Sequence, residues 1–207
     1  MNRAIYGGSF DPIHNGHVNM VRQMYRNAPL DQIIIMPTAI SPFKQNLERK
    51  PASAADRIEM CRLAFSDCPF VTVSDYEISL NEVSYTVNTM RHFRSLYPDD
   101  RLFFIMGSDM LMSFDRWYCF KEIMSLCTLL VASREDGEAD IKALEHKADE
   151  LSQLGGTIML IRTEVCEMSS TLIREKIMNN QDISCYIPEN VVKYIAENNV
   201  YTVHNRS

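Results

Sequence analysis

"GGSFDPIHNGH", residues 7–17, places three glycines, a proline and two histidines directly after the short apolar run Ala4 to Tyr6. A short apolar run that is continuous rather than alternating is how a strand covered on both faces of a parallel sheet reads. Val18, Val21, Met24 and Tyr25 then fall on one helical face, so the stretch is predicted to join a first strand to a helix starting near Gly16. Ligands of parallel α/β sheets bind outside the carboxyl ends of the strands, where strand order reverses. Gly7 and Gly8 let a ligand approach the backbone, and the free N–H groups of the helix entry make an anion site. His14 and His17 flank that entry, where the positive end of the helix disfavours imidazolium. Both are therefore expected to be neutral and to donate through one ring nitrogen. The turn reads as a phosphate site. The alternatives are polar residues satisfied in the core, or ligands to a metal, for which the stretch offers only Asp11 as a third member.

The rest of the chain repeats this pattern. Ile33 to Met36, Val71 to Val73, Leu102 to Met106, Leu129 to Ala132 and Ile158 to Ile161 are further continuous apolar runs. Between them, Ser53 stands as an N-cap before Ile58, Cys61 and Phe65, and Thr86, Met90, Phe93 and Tyr97 recur at helical steps. Alternating strand and helix is the βαβ signature. The expected fold is α/β, Rossmann-like and doubly wound, with a mainly parallel sheet, helices on both faces and a small C-terminal helical segment. Residues 1–207 are expected to form one domain. Residues 134–151 are charge-rich with apolar positions at helical spacing and read as a solvated surface helix. Residues 37–51 carry three prolines and several basic side chains and read as a long loop.

Composition narrows the function classes. With 46% hydrophobic and 23% charged residues the chain is ordinary globular material, and 207 residues suffice for a sizeable core. A net charge of −6 repels polyanions, which argues against nucleic acid as a partner and requires any bound phosphate to be met by local groups. No apolar run approaches membrane-spanning length and the N-terminus runs straight into a strand, so no membrane association and a cytoplasmic location are expected. The six cysteines show neither C-x-x-C spacing nor a His partner at metal-ligand spacing. Cys61 and Cys127 read as small core residues, and no metal held by the protein is expected.

The opening stretch lacks G-x-G-x-x-G and the Lys-Ser/Thr ending of a Walker A loop. It resembles the nucleotidyltransferase superfamily with the H-x-G-H signature, here His14-Asn15-Gly16-His17. That superfamily has a second signature near the C-terminus, and "MSSTLIREKI", residues 168–177, matches it with Ser169, Ser170, Thr171 and Arg174. A Ser/Thr cluster before a helix caps its N-terminus and offers hydroxyls and amides to phosphate oxygens, and Arg174 lies one turn beyond Ser170. Alone, this would read as an ordinary N-cap with a surface arginine.

Between the signatures the chain resembles one subfamily, the bacterial nicotinate mononucleotide adenylyltransferases. The matching segments are Lys44 in "SPFK", "SYT" at 84–86, "GSD" at 107–109 and "RWY" at 116–118. The resemblance implies AMP transfer from ATP to nicotinate mononucleotide, with Mg²⁺ carried by the ATP phosphates. It implies ATP contacts from Gly8, Ser9, Phe10, His14, His17, Gly107, Asp109, Ser169, Ser170 and Arg174, the two histidines and Arg174 being catalytic. Trp117 would stack on the pyridine ring, and backbone near Thr86 and Tyr118 would receive its carboxylate. In that resemblance Lys44 is a phosphate-neutralising residue, and Arg134, at the end of the Leu129 to Ala132 run, matches a basic position grouped with acceptor binding. Taken by themselves, Asp109 also suits a helix cap, Trp117 a core edge and Lys44 a plain surface position. Ser41-Pro42-Phe43-Lys44 departs from the usual Pro-Pro-His-Lys, which removes a loop histidine, and Ser9 replaces the more usual Thr. Other acceptors, nicotinamide mononucleotide or phosphopantetheine, and a non-catalytic nucleotide sensor on the same fold are the competing readings, and a homo-oligomer is left open.

Overall fold

The computed structural model describes residues 1–40, 51–80, 82–133, 138–164 and 168–201. Six strands, β1 (Asn2–Gly8), β2 (Gln32–Pro37), β3 (Val71–Val73), β4 (Arg101–Gly107), β5 (Thr128–Ser133) and β6 (Ile158–Arg162), form one sheet in the order β3-β2-β1-β4-β5-β6. Every adjacent pair is parallel. All six coincide with the apolar runs of the sequence. The connecting helices are α1 (Asn15–Asn27), α2 (Ala54–Ala64), α3 (Tyr76–Leu80), α4 (Thr86–Leu96), α5 (Ser108–Leu111), α6 (Phe120–Leu126), α7 (Glu138–Gln153), α8 (Ser170–Met178) and α9 (Glu189–Glu197), with a 3-10 turn at Phe114–Arg116.

Successive side chains of a strand point to opposite faces, and the core divides on that alternation. Ala4, Tyr6, Ile33, Ile35, Phe103 and Ile105 pack on one face with α1, α2, α8 and α9. Ile5, Ile34, Met36, Leu102, Phe104 and Met106 pack on the other with α4, α6 and α7. Covering both faces is why the strands read as unbroken apolar runs. Burial raises the pKa of the Cys61 thiol and, independently, pushes that of Cys127 up to about 12, as expected for core cysteines.

Helices α1, α2 and α8 start at a side-chain cap. Ser53 Oγ accepts from the Asp56 amide at 3.1 Å and opens α2. The charged stretch forms α7, but Leu144, Ala148 and Leu151 are buried, so it is a covering helix with one solvated face rather than a solvated helix throughout. Residues 134–137 and 41–50, part of the expected surface segment and most of the long loop, lie outside the described residues.

Strand order reverses at β1. The chain moves outward through β2 to β3, then returns to lay β4 on the other side of β1 and continues to β5 and β6. The switch point therefore falls between the carboxyl ends of β1 and β4, at Gly8 and Gly107, where the fold opens a crevice for a ligand.

Candidate active site

A cavity of about 410 Å³ occupies that crevice, within the range of small-molecule sites. Gly8, Ser9, His14, Gly16 and His17 line it from the β1–α1 connection, Gly107 and Asp109 from the end of β4, and Thr86 and Trp117 from the α4 and 3-10 segments. Thr163, Glu164 and Met168, after β6, and Glu77 and Ser84, before α4, also line the wall. Eight of the expected site residues thus meet in one cavity.

The two histidines hold each other. His14 is the N-cap of α1, and its Nδ1 accepts from the His17 amide at 3.4 Å, while His17 Nδ1 accepts from the His14 amide at 3.2 Å. The rings stack with centroids 3.7 Å apart. A ring nitrogen that accepts carries no proton, so both imidazoles are neutral with the hydrogen on Nε2. Burial holds the His14 pKa down at about 4. That shift carries a sign: a depressed pKa means stability present above the ordinary histidine range and lost as pH falls from about 6.5 to about 4. Wild type should therefore lose thermal stability relative to a His14→Asn variant across that window and not above it, as a melting series from about pH 7.5 to about pH 4 will read. The free amides expected at the helix entry are fewer than the sequence suggested. The Asn15 N–H donates to the Tyr186 carbonyl at 2.8 Å and the His17 N–H to His14.

The loop before the histidines is built tightly. A Cβ on Gly8 would come within 2.9 Å of the Phe10 ring, whereas on Gly7 it would meet only ordinary contacts, so Gly8 alone is sterically required. Phe10 itself, with φ of +45°, is buried edge-on against Tyr6 and His17. Its side chain does not line the cavity, which corrects the expectation of a ligand contact: the ring anchors the loop. At Gly107 a Cβ would lie 2.6 Å from Asp109 Oδ1, the end of a side chain that can turn aside, so a substitution there would displace the Asp109 carboxylate.

Two buried charged residues support this loop, and only one figured in the sequence reading. Arg57, on α2, donates through Nη1 to the carbonyls of Ser9 and Thr38, both at 2.8 Å. It carries no motif, and an Arg amid helix residues reads as surface. Asp11 is a structural hub rather than a metal ligand: Oδ1 accepts from the Ala52 amide at 3.0 Å and from the Tyr201 hydroxyl at 2.8 Å.

The second signature converges on the same loop. Ser169 Oγ caps α8 by accepting from the Leu172 amide at 3.1 Å, Ser170 Oγ donates to the Pro12 carbonyl at 2.9 Å, and Arg174 Nη1 donates to the Asp11 carbonyl at 2.5 Å. Each of these three side chains thus already makes a bond within the protein, and among the described residues of this segment Met168 lines the cavity. The two signatures meet, but through loop carbonyls.

At the other end, Trp117 is half-buried and packs on Phe104 and Phe114, so it is both a core edge and a cavity wall. Tyr118 is 61% exposed and its ring packs on Tyr85; its side chain does not line the cavity. Lys44 and Arg134 lie outside the described residues. Among the described residues no three His, Cys, Asp or Glu side chains are grouped to hold a metal ion, and no helix is long and apolar enough to cross a membrane.

Strand order, switch-point cavity and mutually capped imidazoles define a doubly wound α/β protein with an open crevice at the reversal of the sheet. The chain belongs to the cytidylyltransferase-like family, whose model matches residues 5–176. Among curated relatives, a protein of Clostridium botulinum named "Probable nicotinate-nucleotide adenylyltransferase" is 34% identical over 97% of this chain and 99% of its own. One of the same name from Dehalococcoides mccartyi is 36% identical, covering 97% of each. The Plasmodium falciparum nicotinic acid mononucleotide adenylyltransferase complexed with NaAD superposes with a TM-score of 0.75 at 22% identity, covering 97% of each chain, which is a likeness of fold.

Proposed function

We propose that the chain transfers AMP from ATP to nicotinate mononucleotide, forming deamido-NAD and pyrophosphate. The observation that carries this reading is the reciprocal cap of His14 and His17, which commits each Nδ1 to a backbone amide and fixes both rings in the wall of the switch-point cavity. An oxygen of the acceptor phosphate attacks the α-phosphorus in line, the new P–O bond forms, and the bond to the β-phosphate oxygen breaks as pyrophosphate leaves. The nucleophile is already anionic, so no side-chain nucleophile or general base is required. The chain's work is positioning and stabilisation of charge on the phosphate oxygens.

In this reading His14, His17, Gly8, Ser9 and Gly16 hold the phosphates, and Asp109 takes the ribose hydroxyls. Arg174 and Ser170 position the phosphate loop through Asp11 and Pro12, and Arg174 adds positive charge beside it. Mg²⁺ enters with ATP, held by phosphate oxygens and water. Trp117 offers its face to the pyridinium ring, and backbone near Thr86 and Tyr118 takes the carboxylate. Trp117→Ala should raise KM for the acceptor about tenfold through loss of a partly desolvated cation–π contact, with KM for ATP unchanged.

The test is pyrophosphate release from ATP and Mg²⁺ with nicotinate mononucleotide, nicotinamide mononucleotide and phosphopantetheine in turn. The highest kcat/KM is expected with the first. Preference for phosphopantetheine overturns the acceptor, and nucleotide binding without release makes the protein a sensor.

A further inference from the structure

Among the described residues Glu77 is the buried carboxylate in the cavity wall that the proposed chemistry does not use. It lies on α3, is 7% exposed, and stands beside Ser84 and Thr86 at the acceptor end. Its Oε1 accepts from the Thr89 hydroxyl at 2.5 Å, while Oε2 is shut off from solvent with no hydrogen bond of normal geometry. A charge so placed would lie out of solvent, which disfavours it. Burial is the main cause raising the Glu77 pKa, with the Thr89 and Ser84 hydroxyls opposing it. Ser84 is itself pinned, its Oγ accepting from the Ala39 amide at 3.0 Å.

We propose that Glu77 selects the acceptor by charge: as a neutral acid it lets the adjoining end of the cavity take a pyridine ring bearing a carboxylate, and once ionised it shifts preference to the uncharged carboxamide. The inference rests on the proposed AMP transfer to a pyridine mononucleotide. A unit negative charge several ångströms from the substituent, at an effective dielectric constant of about 20, changes relative affinity about tenfold or more. A raised carboxyl pKa means neutral below and ionised above, so the preference for the acid falls as pH rises.

The other titratable groups near by are few. Tyr76 on α3 stacks on His92 of α4, and burial lowers the His92 pKa. Glu82 precedes α4, Arg91 on α4 is paired with Glu122, and Asp109, His14 and His17 share the cavity wall. β2, which packs against α3, carries no ionisable side chain. Groups common to both acceptors, including the acceptor phosphate and ATP, cancel when two acceptors are compared.

The experiment is the ratio of kcat/KM for nicotinate over nicotinamide mononucleotide from about pH 5 to about pH 9 in wild type and in Glu77→Gln, which mimics the neutral acid. Wild type should lose acid preference about tenfold or more across the range, and the variant should hold the low-pH ratio throughout. A flat wild-type ratio, or a variant that follows wild type, overturns the proposal. In parallel, the carboxyl ¹³C shift of glutamate-labelled protein reads Glu77 directly, with Glu77→Gln assigning the signal. A carboxyl that titrates in the ordinary glutamate range, about pH 4.3, overturns the inference whatever the activity. Absence of transfer to either acceptor would instead remove the functional reading beneath it.

Discussion

In a His14→Asn variant, kcat/KM for AMP transfer should fall about 10²- to 10³-fold, the cost of one donor aimed at developing charge, while the melting temperature stays near that of wild type. The two effects separate because His14 has two roles on two nitrogens. Nδ1 caps α1 by accepting from the His17 amide, and asparagine is among the best N-caps, so its side-chain oxygen takes over that bond. Nε2–H is what asparagine cannot place at the same point. His14→Ala should show the same kinetic loss and, in addition, a cap loss of about 1 kcal/mol, lowering the melting temperature by roughly 2–4 °C for a chain of this size. Activity in His14→Asn within about threefold of wild type would place the phosphate donors elsewhere in the cavity, against the size expected for a lost transition-state donor.

The comparison of His14 with Arg57 shows what a sequence gives away. His14-Asn15-Gly16-His17 sits between an apolar run and an amphipathic helix, so its position at a strand's carboxyl end follows from local periodicity alone. All six strands were legible for the same reason: burial on both faces leaves no room for polar residues within a run. The reciprocal cap was not legible, because a histidine N-cap has no propensity that announces it. Arg57 and Glu77 were missed because burial of a lone charge depends on which carbonyls and hydroxyls the tertiary fold brings to it. Ser170 and Arg174 were placed correctly beside the first signature, yet their role changed: sequence shows hydroxyl and guanidinium, while the fold decides that loop carbonyls of Pro12 and Asp11 reach them. The same holds for Phe10, whose neighbours in sequence suggest a ligand and whose ring lies in the core.

Arg57→Met should destabilise the protein by about 2 to 4 kcal/mol, because it leaves two carbonyls without their donor, and so lower the melting temperature by roughly 4 to 16 °C. The guanidinium ties the Ser9 carbonyl of the β1–α1 loop to the Thr38 carbonyl just past β2, both at 2.8 Å. These are neighbouring strand ends on the floor of the cavity. Burial lowers the Arg57 pKa, with Asp11 as the largest opposing influence, and Nε has no partner of its own. Removing the charge therefore relieves some desolvation cost, which is why the expected loss stays below the sum of two full charge-assisted bonds. Methionine fills the space but offers no donor, so Ser9 is released and kcat/KM should fall with stability. Arg57→Lys keeps the charge and reaches one carbonyl at most, so it should recover part of both. The order wild type, Lys, Met in melting temperature and in kcat/KM is the expected result. A methionine variant melting within about 2 °C of wild type, a loss near 1 kcal/mol or less, would mean that the backbone at Ser9 and Thr38 holds its geometry without the guanidinium.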